Sequence, residues 1–324
     1  MALLPTTEIY FLNSCTDSVS GFLPFRPIRR LGDNCYSSGE TVLLVRQDHP
    51  DLMDRLLATP PGRLIYLVDD DIEAALGDTS LPDDYRDRLI RFHGDYHADL
   101  VARADTLVVT SDALLRKFSG HRDVRIVHPH WHLDAADDRH FDALADGGDV
   151  HAMHLGTASH QAGLEFLVPV IEALLERFGR FHFTYVGHAP RLGALDSHPR
   201  VHRRRPQAWS RYRRTLRRQR VHLGLYPLPD TPFNRARSPS KVLEHAIVGA
   251  VGVYSRAWPT AANLAECAIL AGPKEADWIA ALSAYLEEPQ RLRPLAQAAR
   301  RVIGGLNDAK AQRRFWADVF GIRL

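Results

Sequence analysis

The strongest constraint on this chain is the recurrence of short, wholly apolar runs separated by longer stretches of helical spacing. Thr41–Val45 (TVLLV), Arg63–Asp69 (RLIYLVD) and Thr106–Thr110 (TLVVT) have no polar alternation, so each reads as a strand buried on both faces. Strands of that kind belong to parallel sheets, which need a crossover helix between neighbours. Charged, helically spaced segments fill the gaps: Asp83–Ala104, and a helix after Ser111, a hydroxyl placed to cap it (SDALLRKF). Glu8–Asn13 and Val124–Val127 complete the strands expected in the first half.

The second half repeats the alternation. Strands are expected at His151–Leu155, Phe181–Val186, around Val201, at Val221–Leu225 and at Ala250–Tyr254. Helices are expected at Gln161–Phe178, Trp209–Arg218 and Ser240–Val248, then at Glu275–Glu287, Pro289–Gly304 and Asp308–Phe320. A length of 324 residues leaves room for two cores, so the alternation predicts two Rossmann-like, doubly wound α/β domains. Charge agrees with that division. Residues 1–150 carry 15 Lys and Arg against 26 Asp and Glu, whereas the whole chain is +2. The second half is therefore strongly basic and is expected to take any anionic ligand. We place the first domain at 1–148 and the second at 149–305.

Three cysteines without metal spacing indicate a reducing, cytoplasmic setting, and no apolar run approaches the length needed to span a bilayer. The N-terminus lacks the basic region of a signal peptide.

In open parallel sheets ligands bind beyond the carboxyl ends of the strands. Gly156-Thr157 and Gly187-His188 occupy such positions, where glycine lets a ligand approach the backbone. The segment Phe233–Ser255 (FNRARSPSKVLEHAIVGAVGVYS) is more specific. It gathers Asn234, Arg237, Ser238, Ser240 and Lys241 around the start of a helix, a setting suited to a pyrophosphate. Glu244 follows Lys241 on the same face and can accept hydrogen bonds from ribose hydroxyls, or simply form a surface ion pair. Asp69-Asp70-Asp71 ends a strand of the acidic half. Asp70 and Asp71 are the expected catalytic or acceptor-binding carboxylates; a metal site and a helix cap are the alternatives.

HLGTASH (154–160), FTYVG (183–187), SPSKVLEHAIVGAVGVYS (238–255) and, more loosely, LVVTSDALLRKF (107–118) with RIVHPH (125–130) resemble the GT-B glycosyltransferases, in particular retaining bacterial enzymes that build surface polysaccharides. The resemblance implies two domains facing a central cleft, with the last segment, 306–324, packing back on the first domain. It implies transfer of a sugar from a nucleoside-diphosphate sugar to a glycan or lipid-linked acceptor, without a metal or other cofactor. Lys241 and the preceding Arg and Ser residues would contact the diphosphate, and Glu244 the ribose. Ser20 and Gly21 look like the acceptor-side loop, and His130 would border the cleft. Ala236 stands where many members carry a second, sugar-contacting glutamate. That position motivates a non-catalytic nucleotide-sugar-binding or scaffold protein as the alternative, and a metal-dependent transferase using Asp69–Asp71 is another. Residues 200–220 hold ten arginines. Arg203–Arg220 is expected to be a solvated face or a peripheral contact with an anionic membrane at its inner surface, rather than a nucleic-acid site.

Overall fold

The computed structural model describes residues 3–20, 27–131, 138–156, 158–187, 191–216 and 218–322. Its first sheet contains β1 (Val19–Ser20), β2 (Ile28–Arg30), β3 (Cys35–Ser38), β4 (Thr41–Val45), β5 (Arg63–Val68), β6 (Thr106–Val109) and β7 (Val124–Ile126), in sequence order. From β4 onward the strands are parallel, as their double burial requires. Ahead of them β2, β3 and β4 form an antiparallel ribbon. The β3–β4 turn is only Gly39-Glu40, and Gly39 adopts φ +56°, the conformation that a two-residue hairpin favours.

The second sheet contains β8 (Val150–His154), β9 (Phe181–Val186), β10 (Val201–Arg204), β11 (Leu223–Tyr226), β12 (Val251–Ser255) and β13 (Ile269–Ala271). All pairs are parallel and the order is β10-β9-β8-β11-β12-β13, the doubly wound Rossmann order. The order reverses between β8 and β11, which puts the ligand-binding crevice at their carboxyl ends.

One expected strand is helical. Pro5–Thr7, a π-helical Glu8–Leu12 and Asn13–Cys15 follow one another as a single N-terminal helical segment. Pro5 suits a first helical turn, and Thr7 through Phe11 are buried in unbroken succession. A helix apolar on every side has the same short apolar run as a buried strand, which is why periodicity alone misassigns it.

This segment lies between the two domains and the last helix, Ala309–Phe320, whose first turn is capped by Asp308. Trp316 is fully buried, stands edge-on to Phe11 and donates its indole N–H to the carbonyl of Tyr10 at 2.7 Å. Buried Gln312 donates to the carbonyls of Ile9 and His128 and accepts from Ser14. Arg63 donates to the carbonyl of Val319, so the helix also reaches the first sheet. Among the described residues no helix is long and apolar enough to cross a membrane.

A row of imidazoles crosses the amino-terminal edge of the second sheet. His151, His182 and His202 are the second residues of β8, β9 and β10, and His222 precedes β11. Neighbouring ring centroids lie 5.9 Å (His222–His151), 5.0 Å (His151–His182) and 5.8 Å (His182–His202) apart. Burial lowers His222 to about 4, and burial likewise lowers His97 of the first domain to about 4.

Two predictions follow from these contacts. Trp316→Ala removes a fully buried indole and its hydrogen bond, and should destabilise the fold by about 3–5 kcal/mol in urea unfolding. The depressed histidines bind protons first in the unfolded chain. Stability should therefore fall as pH drops from about 6.5 to about 4, and His222→Gln should flatten that fall in urea midpoints measured at several pH values.

Candidate active site

The carboxyl ends of β4 and β5 face those of β8 and β9 across a cleft. Its main cavity, about 450 Å³, is walled by Arg46, Asp69 and Asp70 from the first domain, by Arg237, Ser238, Ser240, Lys241 and Glu244 from the second, and by Thr6, Ile9 and Tyr10 of the N-terminal segment. A hollow of about 330 Å³ adjoins it, lined by Leu155, Gly156, Gln207, Trp209 and Tyr212, and it too reaches Lys241 and Glu244.

Pro239 introduces the helix Ser240–Ile247, and Gly249, at φ +75°, turns the chain out of it toward β12. Ser240 and Lys241 thus fall in the first turn, where backbone N–H groups are unsatisfied and the helix dipole favours anions. The Lys241 ammonium donates to the carbonyl of Leu155 at 2.5 Å and pairs with Glu244. Ser238 and Ser240 hydroxyls are 3.1 Å apart, and the Tyr10 hydroxyl stands 2.8 Å from that of Ser240. Arg237, itself buried, rests over the ring of Phe233, its carbonyl accepting from the Trp258 indole. Its guanidinium donates to Asp70 at 3.1 Å, directly across the domain boundary.

Arg46 meets the same carboxylates from the other side, 3.3 Å from Asp69 and 3.0 Å from Asp70. It follows β4 with φ +57°, the only non-glycine residue of positive φ among those described. That left-handed backbone costs on the order of 1–2 kcal/mol and aims the guanidinium at Asp69 and Asp70. Burial raises Asp69 above the ordinary carboxylate range, even with Arg46 and the Thr6 hydroxyl beside it. Burial acts on Asp70 as well, but Arg237 and Arg46 together outweigh it and hold Asp70 low. Of the two carboxyls, Asp70 is the one whose charged form the flanking guanidinium groups favour more strongly.

The expected residues separate into groups. Arg237, Ser238, Ser240, Lys241, Glu244 and Asp70 meet in the main cavity. Gly156 and Gly187 line a third, adjoining hollow. A side chain at Gly156 would fall 2.3 Å from the His154 ring, so glycine is required there. Asp71 does not face the cleft: it caps the helix Ile72–Leu76 by accepting from Ala74 N–H, and it pairs with Lys117. The strand ends at Val68, and by Asp71 the chain is already turning into a helix. Asn234 is also outside the cavity. Buried in the short helix Pro232–Arg235, it donates to the carbonyl of Pro229. His130 is drawn inward, away from the cleft, by Asn307 at 2.9 Å, while its N–H meets the carbonyl of Ile9. Ser20 ends the edge strand β1; its side chain, with Gly21, Thr157 and His188, lies outside the described residues.

Sequence reasoning missed Arg46 and Tyr10. Arg46 directly follows an expected strand, so the carboxyl-end rule contained the signal. Tyr10 left none, because its segment read as a strand. Glu8 likewise went unnoticed: buried, it accepts from the Trp209 indole at 2.7 Å and pairs with Arg213 of the helix Trp209–Leu216.

Without a ligand, both cations at the helix start are held by carboxylates. Asp70→Asn removes Arg237's anionic partner and a charge that repels phosphate. Affinity for inorganic pyrophosphate should rise about tenfold by calorimetry.

Residues 165–314 match the family model described as glycosyl transferase-like. Solved structures add to this. WaaG, a glycosyltransferase involved in lipopolysaccharide biosynthesis, aligns with a TM-score of 0.54 at 15% identity over 77% of this chain and 75% of its own. Sucrose-phosphate synthase from Thermosynechococcus elongatus gives 0.57 at 14% identity over 82% and 69%. Anabaena HepE, solved with UDP-glucose, gives 0.54 at 15% over 80% and 72%. A search of curated proteins returned no match. The chain thus has the GT-B fold of these glycosyltransferases, and its residues 165–314 carry a glycosyl transferase-like domain.

Proposed function

We propose that the protein transfers a sugar from a nucleoside-diphosphate sugar to a glycan or lipid-linked acceptor, with retention of configuration and without a metal ion. The observation that carries this reading is the convergence of Arg237, Ser238, Ser240 and Lys241 on one cavity wall, with Glu244 one turn further along the helix. The nucleoside occupies the hollow beside Trp209 and Tyr212, its ribose hydroxyls donating to Glu244. The diphosphate takes over Arg237 and Lys241 from their carboxylate partners, and the Tyr10 hydroxyl adds a donor beside Ser240. Arg237's departure frees Asp70 Oδ1 to accept a hydrogen bond from the acceptor hydroxyl, while Oδ2 stays with Arg46. The bond from the anomeric carbon to the diphosphate breaks as the acceptor oxygen bonds to the same face. The acceptor proton passes to the departing phosphate oxygen.

Cations in the cleft replace the charge that a divalent metal would supply. A metal on Asp69–Asp71 would have to displace Arg46, Arg237 and Lys117 from those carboxylates. The basic stretch adds a place for the reaction. Arg204, Arg205, Arg211, Arg214 and Arg218 are exposed near the nucleoside hollow, and they favour a cytoplasmic protein docked on an anionic membrane face that presents the acceptor.

Ala236 supports a second reading, a non-catalytic nucleotide-sugar binder. It is buried with Val109 and Leu114, and its carbonyl accepts from Ser111, so nothing at this position reaches a sugar. Consumption of the donor separates the two readings.

Lys241→Ala should weaken UDP or GDP binding about tenfold in calorimetry, as loss of a charge-assisted contact requires. Glu244→Gln should weaken UDP more than its dideoxy analogue. Transfer should persist in EDTA; its abolition there, restored by Mn²⁺, would select the metal-dependent mechanism.

A further inference from the structure

Beside the main cavity lies a hollow of about 260 Å³ whose lining, among the described residues, includes no aspartate or glutamate. Arg88, which also borders the main cavity, enters it from the first domain and Arg191 from the second, so the hollow is complete only when the domains face one another. The Arg88 guanidinium lies 5.0 Å from the centre of the Tyr85 ring. Arg191 donates to the amide oxygen of Gln161 at 2.6 Å. On that side Glu165 is exposed and engages the other end of Gln161, and Asp196 accepts from the Tyr185 hydroxyl and the Leu192 N–H. On the cleft side Asp69 and Asp70 are committed to Arg46 and Arg237.

The wall beneath is a histidine that nothing else uses. His154 is 1% exposed, and neither of its ring nitrogens has a hydrogen-bond partner. It borders the hollow beside Gly156, where any side chain would collide with its ring. An unpartnered buried imidazole is costly unless a ligand completes it. The Nδ1 of His160, on the same wall, is also unpartnered.

Such a lining selects by charge. Guanidinium groups offer only donors, whereas sugar hydroxyls also need acceptors, and with Ala236 packed elsewhere no carboxylate supplies them here. We propose that this hollow seats a carboxylate or phosphate carried by the sugar substrate, between Arg88 and Arg191 over His154. The inference rests on the transferase reading above. It makes the substrate an acidic or phosphorylated sugar, with the charge on either the donor sugar or the acceptor.

Calorimetric titrations of paired probes test it. UDP-glucuronate against UDP-glucose and GDP-mannuronate against GDP-mannose read the donor side. Glucose 6-phosphate against glucose, each with saturating UDP or GDP, reads the acceptor side. At least one charged probe should bind about tenfold tighter than its neutral twin. Arg88→Gln and Arg191→Gln should each remove most of that preference, and Arg191→Gln, outside the main cavity, should leave UDP and GDP affinity within about twofold of wild type. Both arginines are exposed, and unchanged thermal melting of the variants verifies their folding. Equal binding of charged and neutral twins, or a preference that survives both substitutions, overturns the proposal. So does a loss of UDP and GDP affinity in Arg191→Gln, which would assign that arginine to the diphosphate. If neither UDP nor GDP binds the wild-type protein, the transferase reading itself falls and the subsite with it. That result appears in a different titration from the others.

Discussion

The cleft depends on one buried charge network. Arg46 and Arg237 approach Asp70 from opposite domains, and Arg46 also holds Asp69. Desolvating four such groups costs several kcal/mol each, and only the complete set offsets that penalty. The network is consequently a poor source of stability and a strong determinant of geometry: remove one member, and its partner is left charged and buried. It also fixes what the cleft can do. Asp69 and Asp70 are balanced by Arg46 of their own domain and Arg237 of the other, and Lys241 by Glu244, until a polyanion competes for the second domain's cations.

The frame around this network is made by segments distant in sequence. The N-terminal helical segment brings Tyr10 to Ser240, Thr6 to Asp69 and Glu8 to Trp209 and Arg213. The last helix presses on its back through Trp316 and Gln312. Glu8 lowers the charge of an arginine-rich helix at the one place where that helix turns inward, leaving its other arginines to solvent. The short helix Pro232–Arg235 adds a further crossing point, with Phe233 packed among Ile72, Ala75 and Leu89, and Thr231 donating to Asp78 at 2.7 Å. These contacts, with the network, set the two sheets face to face and give the hollows between them their shape.

The two halves use the same alternation of strand and helix for different ends. The second sheet has the full Rossmann order, so its switch point between β8 and β11 creates a crevice beside the helix that starts at Ser240. The first sheet runs in sequence order and carries an antiparallel ribbon, β2–β4, ahead of its parallel strands. Thr6, Ile9 and Tyr10 of the N-terminal segment line the cavity beside the ends of its strands.

Much of this was legible in the chain itself. Runs such as Thr41–Val45 and Thr106–Val109 coincide with strands because double burial admits no polar alternation. Ser111 and Asp308 cap their helices because a side-chain oxygen there satisfies free N–H groups. The grouping of Arg237, Ser238, Ser240, Lys241 and Glu244 was legible too, since helical spacing alone puts them together. What lies between segments was not. Glu8–Asn13 carries a pattern that serves a buried helix and a buried strand equally, and only packing against Trp316 and the cleft selects the helix. Whether Asp70 or Asp71 faces the cavity turns on a single residue of backbone direction after β5. The pairing of Asp70 with Arg237 spans 167 positions, and no local rule connects them. Local sequence determined the elements and their capping, because those energies act within a few residues. The tertiary structure decided which charges meet, because burial and proximity come only from segments that the fold brings together.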